Sequence, residues 1–177
     1  MACLFALAAL DAGRSVRAID TDGLQATSHK WLPDLFVSAP GLSADELRSM
    51  SIGYDLTVID CPPSVLPVAI SAIEAADWVL TPTGLSAGDL QALMDFRTVT
   101  DPHLVIPVRV DYRRTLHHQA LEALKDWFGE AITVPIPNSA AVERAQIEHC
   151  GLPALSAPAV AMRQVYEQFS TIEKERA

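Results

Sequence analysis

Cysteine is sparse in this chain, and its three copies, Cys3, Cys61 and Cys150, are odd in number and far apart. No CxxC or Cys/His spacing suggests zinc, and no even set suggests disulfides. Reduced thiols of a cytosolic protein are the plain reading. Basic charge is also short, with 13 Lys and Arg against 22 Asp and Glu and a formal net charge of −9. Nucleic-acid binding needs cations to replace counterions, so an acidic chain is a poor default for it, although a local basic patch stays open. Long apolar runs are missing too. The most apolar stretch, residues 1–10, is only about half the ~20 residues that span a bilayer. No Lys or Arg precedes it, as a signal peptide would require. Asp11-Ala12-Gly13-Arg14 then closes it like a helix C-terminus, so it reads as a buried core helix.

What remains is an ordinary globular balance. Half of the 177 residues are hydrophobic and a fifth are charged, enough for one domain with a sizeable core. There is no internal repeat, no low-complexity segment and no visible domain boundary, so residues 1–177 are read as a single domain. Near-continuous apolar runs at 15–20, 56–61, 78–82, 104–110 and 132–136 predict strands buried on both faces of a parallel sheet. Helices are predicted at 2–12, 43–51, within 65–76, and at 87–99, 115–128, 139–149 and 159–174. Strand–helix alternation of this kind argues for an α/β doubly wound fold with a mostly parallel sheet. Residues 21–42 form the longest irregular stretch and hold Pro33, Pro40 and Gly41. A chain that opens with a helix leaves that helix without the strand that precedes it in a βα unit.

In open α/β sheets, ligands bind beyond the carboxyl ends of the strands. Two predicted strand ends carry acids: Ile19-Asp20-Thr21-Asp22, and Val58-Ile59-Asp60-Cys61-Pro62-Pro63-Ser64. Carboxylates at a phosphate site hold Mg²⁺ directly or through its waters, or orient an attacking water. An Asp at a strand end can equally cap the turn that follows. Both readings stay open from the residues alone.

A resemblance enters at these residues. Tyr54-Asp55-Leu56-Thr57-Val58-Ile59-Asp60-Cys61-Pro62-Pro63-Ser64 resembles the Walker B region of the ParA/MinD family of deviant Walker P-loop ATPases. Ala75-Ala76-Asp77-Trp78-Val79-Leu80-Thr81-Pro82 resembles the family's AAD-x-VL-x-P strand, and Ser86, Asp89 and Leu90 its S-x-x-DL helix start. Residues 12–22 resemble AG-x-x-V-x-x-ID-x-D. Val134-Pro135-Ile136-Pro137, Glu143-Arg144-Ala145 and Gly151-Leu152-Pro153 resemble its C-terminal segment. Each motif is short, but the set spans nearly the whole chain in the family's order.

The resemblance implies ATP and Mg²⁺ as cofactors. It implies that Asp60 holds the Mg²⁺ water shell, that Asp20 is a structural or metal-side acid, and that Asp22 positions the attacking water. Pro137 and Asn138 would pass near the adenine. It also implies a cytoplasmic partition ATPase that forms a homodimer, meets a ParB-like partner and binds DNA non-specifically, with no membrane attachment.

The chain departs from the family in one large respect. The phosphate loop, KGG-x-GKT(T/S), would precede Met1 together with a central strand, and none of the eight glycines forms G-x-x-x-x-G-K-[ST]. After Asp22 stands Gly23-Leu24-Gln25 in place of Pro-Gln, and Val108 and Arg109 replace the Asn or Thr often found near the adenine. Three accounts are open: a fragment or a start codon placed too late, a degenerate pseudo-ATPase kept for binding or scaffolding, or a loop supplied by a partner. The expectation is no ATP hydrolysis by these residues. Loss of a central strand would expose strand edges and forfeit several kcal/mol of burial at ~25 cal/mol per Å². A metabolic relative such as an amidating synthetase is the further alternative.

The remaining groups have plainer readings. His117 and His118 point in different directions on a helix and read as surface residues. Trp31, Trp78 and Trp127 read as core or subcore packing. Later cations sit beside acids and form a mixed solvated face. In the last helix Val160, Val165, Phe169 and Ile172 fall on one face, and its acids argue for docking on its own domain rather than on a membrane.

Overall fold

The computed structural model describes residues 1–62 and 67–176. The chain divides into two compact units, Met1–Asp77 with Glu143–Leu152, and Trp78–Val142 with Pro153–Ala177.

The first unit is a three-stranded parallel sheet with helices. Helix α1 (Ala2–Asp11) leads into β1 (Val16–Asp20), α2 (Thr27–Trp31), β2 (Phe36–Ser38), α3 (Ala44–Ser51), β3 (Leu56–Asp60) and α4 (Pro67–Ala75). The strand order is β2-β1-β3, with β1 parallel to both neighbours. Helix α1 is apolar all round because it is buried: Cys3, Leu4, Phe5, Ala6, Ala8 and Ala9 are inaccessible, and it packs on β1 and β3. Gly13, at φ +84°, lets the chain turn back into β1. A second core joins Ile19 of β1, Leu47 of α3 and Ala72 of α4, with Ile59 and Cys61 at its margin. Helix α3 starts in a capping box. Ser43 Oγ accepts from Glu46 N–H, and Glu46 accepts from Ser43 N–H at 2.8 Å.

The second unit holds β4 (Leu80–Thr83), α5 (Ala87–Arg97), β5 (Leu104–Pro107), α6 (Thr115–Phe128) and α8 (Ala157–Arg176), while α7 (Ala140–Ile147) runs across the boundary. Strands β4 and β5 pair in parallel. The S-x-x-D signal at Ser86 and Asp89 proves to be the capping box of α5, with Ser86 Oγ 2.6 Å from Asp89 Oδ2. Gly84 makes room for it, because a Cβ there would collide with the Asp89 carboxylate. Leu85, Leu93, Val105, Val110, Ala120 and Leu124 form the core.

The parallel α/β class is borne out, and six of the seven predicted helices are found within two residues at each end. The seventh is found at Pro67–Ala75, while Val65 and Leu66 lie outside the described residues, as do Pro63 and Ser64 of the second acidic strand end. Five expectations need correction. Residues 132–136 are not a strand. The segment meets β5 only through an isolated bridge, Val105 to Ile132, and bonds from Thr133 and Ile136 N–H to Val105 O and Pro107 O. A second bridge, from Val110 to Pro137, lies beyond both, because Pro135 and Pro137 have no N–H to continue a ladder. Residues 21–42 are not wholly irregular, since they contain α2 and β2. In α8 the buried face is Ala161, Met162, Val165, Tyr166 and Phe169, while Val160 is exposed. Trp127 is exposed, unlike Trp31. His117 is buried and its Nδ1 accepts from Asp111 N–H, whereas His118 Nε2 donates to Tyr112 O.

The pairing runs in two sheets, and β3 and β4 each keep one open edge among the described residues. Leu56 N–H donates to Ser15 O and Asp60 O accepts from Thr21 N–H, so alternate residues from 56 to 60 face β1. Thr57 and Ile59 therefore turn their backbone groups to the open side. On β4, Val79 O and Thr83 O accept from His103 and Val108, which turns Leu80 and Pro82 outward. None of the five residues of β3 is fully buried, although its apolar run reads as a fully covered strand. Thr57 Oγ1 and Thr81 Oγ1, one on each of these strands, are buried without a hydrogen-bond partner among the described residues.

Leu124 is wholly buried in the second unit, so Leu124→Ala should cost about 2–5 kcal/mol. Urea unfolding followed by circular dichroism checks this, and a loss below about 1 kcal/mol would contradict the packing described.

Candidate functional site

Asp20 and Asp60 are register partners on adjacent parallel strands, each the last residue of its strand. Register partners project to the same face, so the fold brings the two acids together at the carboxyl edge of the sheet. Thr21 locks the two strand ends by donating both N–H and Oγ1–H to Asp60 O, at 2.9 and 2.8 Å.

Helix α2 engages both carboxylates. Asp20 is fully buried. Its Oδ2 accepts from His29 N–H at 2.9 Å and its Oδ1 from Asp22 N–H at 3.0 Å. Asp60 Oδ2 accepts from Ser28 Oγ–H at 2.5 Å. Burial pushes the Asp60 carboxyl above its usual range, and the Ser28 hydrogen bond pulls it partly back. Asp22 lies two residues beyond Asp20. Its Oδ1 accepts from Leu24 N–H and Gln25 N–H at 2.9 and 3.0 Å, which tightens the turn that leads to α2.

The nearby thiols are quiet. Burial raises Cys3 to about 11, and its Sγ donates weakly to Ser28 O at 3.7 Å. Burial raises Cys61 to about 11 as well. Neither is a thiolate at neutral pH.

Pro137 and Asn138 belong to the second unit. Pro137 bridges Val110 beyond β5, and the exposed Asn138 donates its N–H to Val110 O at 2.9 Å. Arg109, just before, is exposed and held at φ +57°, a left-handed conformation that side chains rarely adopt.

No family model matches the chain. It is 32% identical over 105 residues to the chromosome-partitioning ATPase Soj of Thermus thermophilus, covering 53% of this chain and 41% of that protein. It is 29% identical over 99 residues to the chromosome partitioning protein ParA of Myxococcus xanthus, covering 50% and 35%. The septum site-determining protein MinD of Pyrococcus horikoshii, solved with Mg-ADP, has the same fold at a TM-score of 0.75 and 18% identity, over 99% of this chain and 91% of that one. The chain has the fold of the ParA/MinD-type ATPases. The aligned segments amount to about two fifths or less of the length of the two curated relatives.

The donor set suits a ParA/MinD-type Mg²⁺ site only in part. Mg²⁺ takes hard oxygen ligands and keeps several of its waters. Asp60 Oδ1, which makes no hydrogen bond among the described residues, is such an oxygen. Both oxygens of Asp20 already accept backbone N–H groups. Among the described residues no group of three or more His, Cys, Asp or Glu converges on one point. These residues fit an outer contact to a hydrated ion, with the remaining ligands supplied by phosphates.

Ser28 escaped the sequence reading. Its partner is 32 positions away, and the only local signal is the Thr27-Ser28 pair that opens α2.

Asp20→Ala would strip the acceptor from two amides at a buried position, and should cost several times more stability than Asp22→Ala, whose amides face solvent, at roughly 0.5–2 kcal/mol. Equal losses in urea titrations would contradict this geometry. Asp60→Asn should be more stable than wild type at pH 7, because a buried carboxylate with a raised pKa favours the fold only when protonated. That advantage should shrink as pH falls through the folded value of Asp60 towards the ordinary 3.8, and melting curves across pH measure it.

Proposed function

We propose that the protein acts as a ParA-like partition ATPase, in which Asp60 holds the Mg²⁺ water shell, Asp22 positions the attacking water and Asp20 fixes the strand end between them. The observation that carries this reading is the register pairing of Asp20 with Asp60 at the carboxyl edge of a parallel sheet. The order of family motifs and the two partition relatives support it. When bound, Mg²⁺ would screen the phosphate charge and favour transfer to water. Of the chain's own residues, Ser28 orients Asp60, and the Leu24 and Gln25 amides hold the Asp22 carboxylate in its turn. Pro137 and Asn138 would border the base.

The 177 residues form one catalytic domain in this reading, and they hold no phosphate cradle of their own. Backbone amides and a lysine from a glycine-rich loop must come from outside them. The open edges of β3 and β4 support the same view, since each offers a place for a further parallel strand. The expected partners are a second copy, a ParB-like protein and non-specific DNA, and the expected compartment is the cytoplasm. Among the described residues no helix is long and apolar enough to cross a membrane.

A second reading, a nucleotide-free scaffold on the same fold, draws on the way α2 already occupies both acids.

One pair of proteins separates these readings. The 177-residue chain should release no phosphate above background and show no ATP·Mg²⁺-dependent rise in melting temperature. A version extended at its N-terminus by a strand and a KGG-x-GKT loop should do both, and Asp22→Ala should abolish its turnover. Nucleotide stabilisation must appear wherever the folded state binds. An extended version indifferent to ATP·Mg²⁺ would favour the scaffold. Turnover by the 177 residues alone, lost in Asp22→Ala, would overturn the need for an outside loop.

A further inference from the structure

The start of β4 is held by a cluster that the nucleotide reading does not use. His103 and Val79 are joined by two hydrogen bonds. His103 N–H donates to Val79 O at 2.9 Å, and Val79 N–H donates to His103 Nδ1 at 3.1 Å. The second bond fixes the chemistry of the ring. A backbone N–H only donates, so Nδ1 must be unprotonated and the neutral ring carries its proton on Nε2. A second proton on the imidazole would have to go to Nδ1, and it would break this bond.

The same ring packs edge-on against Trp78, with centroids 5.1 Å apart. Trp78 is also where α8 docks. Phe169 meets it in a T-shaped contact at 5.7 Å, and the Arg176 guanidinium lies over its face at 4.7 Å. The charged groups that face His103 are Arg176 from the last turn of α8 and Asp101 from the loop before β5. The Asp101 carboxylate is shared with Arg97 at 2.9 Å, so it offers an incomplete counter-charge. A cationic imidazole would therefore lose its backbone donor and meet a second cation across one indole ring.

We propose that His103, Trp78 and Arg176 form an acid-released clasp that holds the end of α8 against the start of β4. With His103 neutral, the clasp is closed: the ring accepts from Val79, the indole is sandwiched, and Arg176 keeps its aromatic face. With His103 protonated, the Val79 amide loses its acceptor, Arg176 is repelled, and the last turn of α8 frays first because helix ends open most readily. Burial and the Arg176 charge both hold His103 below its ordinary 6.5. A depressed histidine contributes stability that is complete above the unfolded value and is lost as pH falls through the folded one. The clasp is therefore shut at neutral pH and opens as pH falls through the folded value of His103, which lies below 6.5, independently of any nucleotide.

Amide hydrogen exchange of the full chain, corrected for intrinsic rates, tests this at pH 7.5 and at about one unit below the His103 midpoint, which NMR titration of the imidazole locates. Residues 170–176 should exchange several-fold faster at the lower pH in the wild type. In His103→Asn they should not, because an amide oxygen accepts from Val79 N–H and takes no proton. An equal rise in His103→Asn, or no rise in the wild type, would overturn the proposal. Should His103→Asn fail to fold, Arg176→Gln is the second arm. It should move the His103 imidazole titration, followed by NMR, to higher pH, and an unmoved midpoint would equally overturn the clasp.

Discussion

Parallel pairing of β1 with β3 is the constraint on which the first unit rests. It matches Asp20 with Asp60 at the strand ends and lets Thr21 tie the two ends together. It also gives α1 an apolar floor, which explains how a ten-residue helix with scarcely a polar side chain finds its place in the unit. Two acids on one sheet edge repel, and the fold answers by assigning each its own donors. Asp20 receives two backbone amides and Asp60 a serine hydroxyl. The charges are held by local dipoles rather than by cationic side chains.

The second unit is organised differently. Its two-stranded sheet is too small to stand on pairing alone, and stability comes from packing of Val105, Val110 and Leu124 and from the long α8. Prolines set its limits. Pro82 and Pro107 lie within the paired register, and Pro135 and Pro137 reduce the neighbouring segment to bridges. Open edges are a liability that natural sheets usually cover; β3 carries no lysine or proline to blunt its edge, whereas Pro82 turns to the open side of β4 with no N–H to pair.

Much of this was legible in the sequence, for physical reasons. Strands β1, β3, β4 and β5 are short apolar runs, the mark of parallel strands covered on both faces. Helix α5 carried a local signal in Ser86 and Asp89, because a capping box is a local device, and the structure shows the same device at Ser43 and Glu46 of α3. Elements made by distant contacts were not legible. Helix α2 has five residues and is held by Trp31 Nε1 donating to Cys150 O, 119 positions away, and by His149 Nδ1 donating to Lys30 O. Strand β2 has three residues and exists because it pairs with β1 and buries Phe36. The segment 132–136 was misread because its apolar residues follow strand periodicity while its prolines forbid the ladder. At the site, acids at strand ends could be picked out by position, whereas Ser28 acquires its role only when the chain folds.

The grip of α2 on Asp20 has a consequence for how this edge can be observed. The His29 amide proton points at a carboxylate with no access to water. It can leave only when the short helix lifts, so its exchange rate is a direct gauge of how often the edge of the sheet is uncovered. The protein thus carries, in one backbone proton, an internal clock for the exposure of its acidic edge.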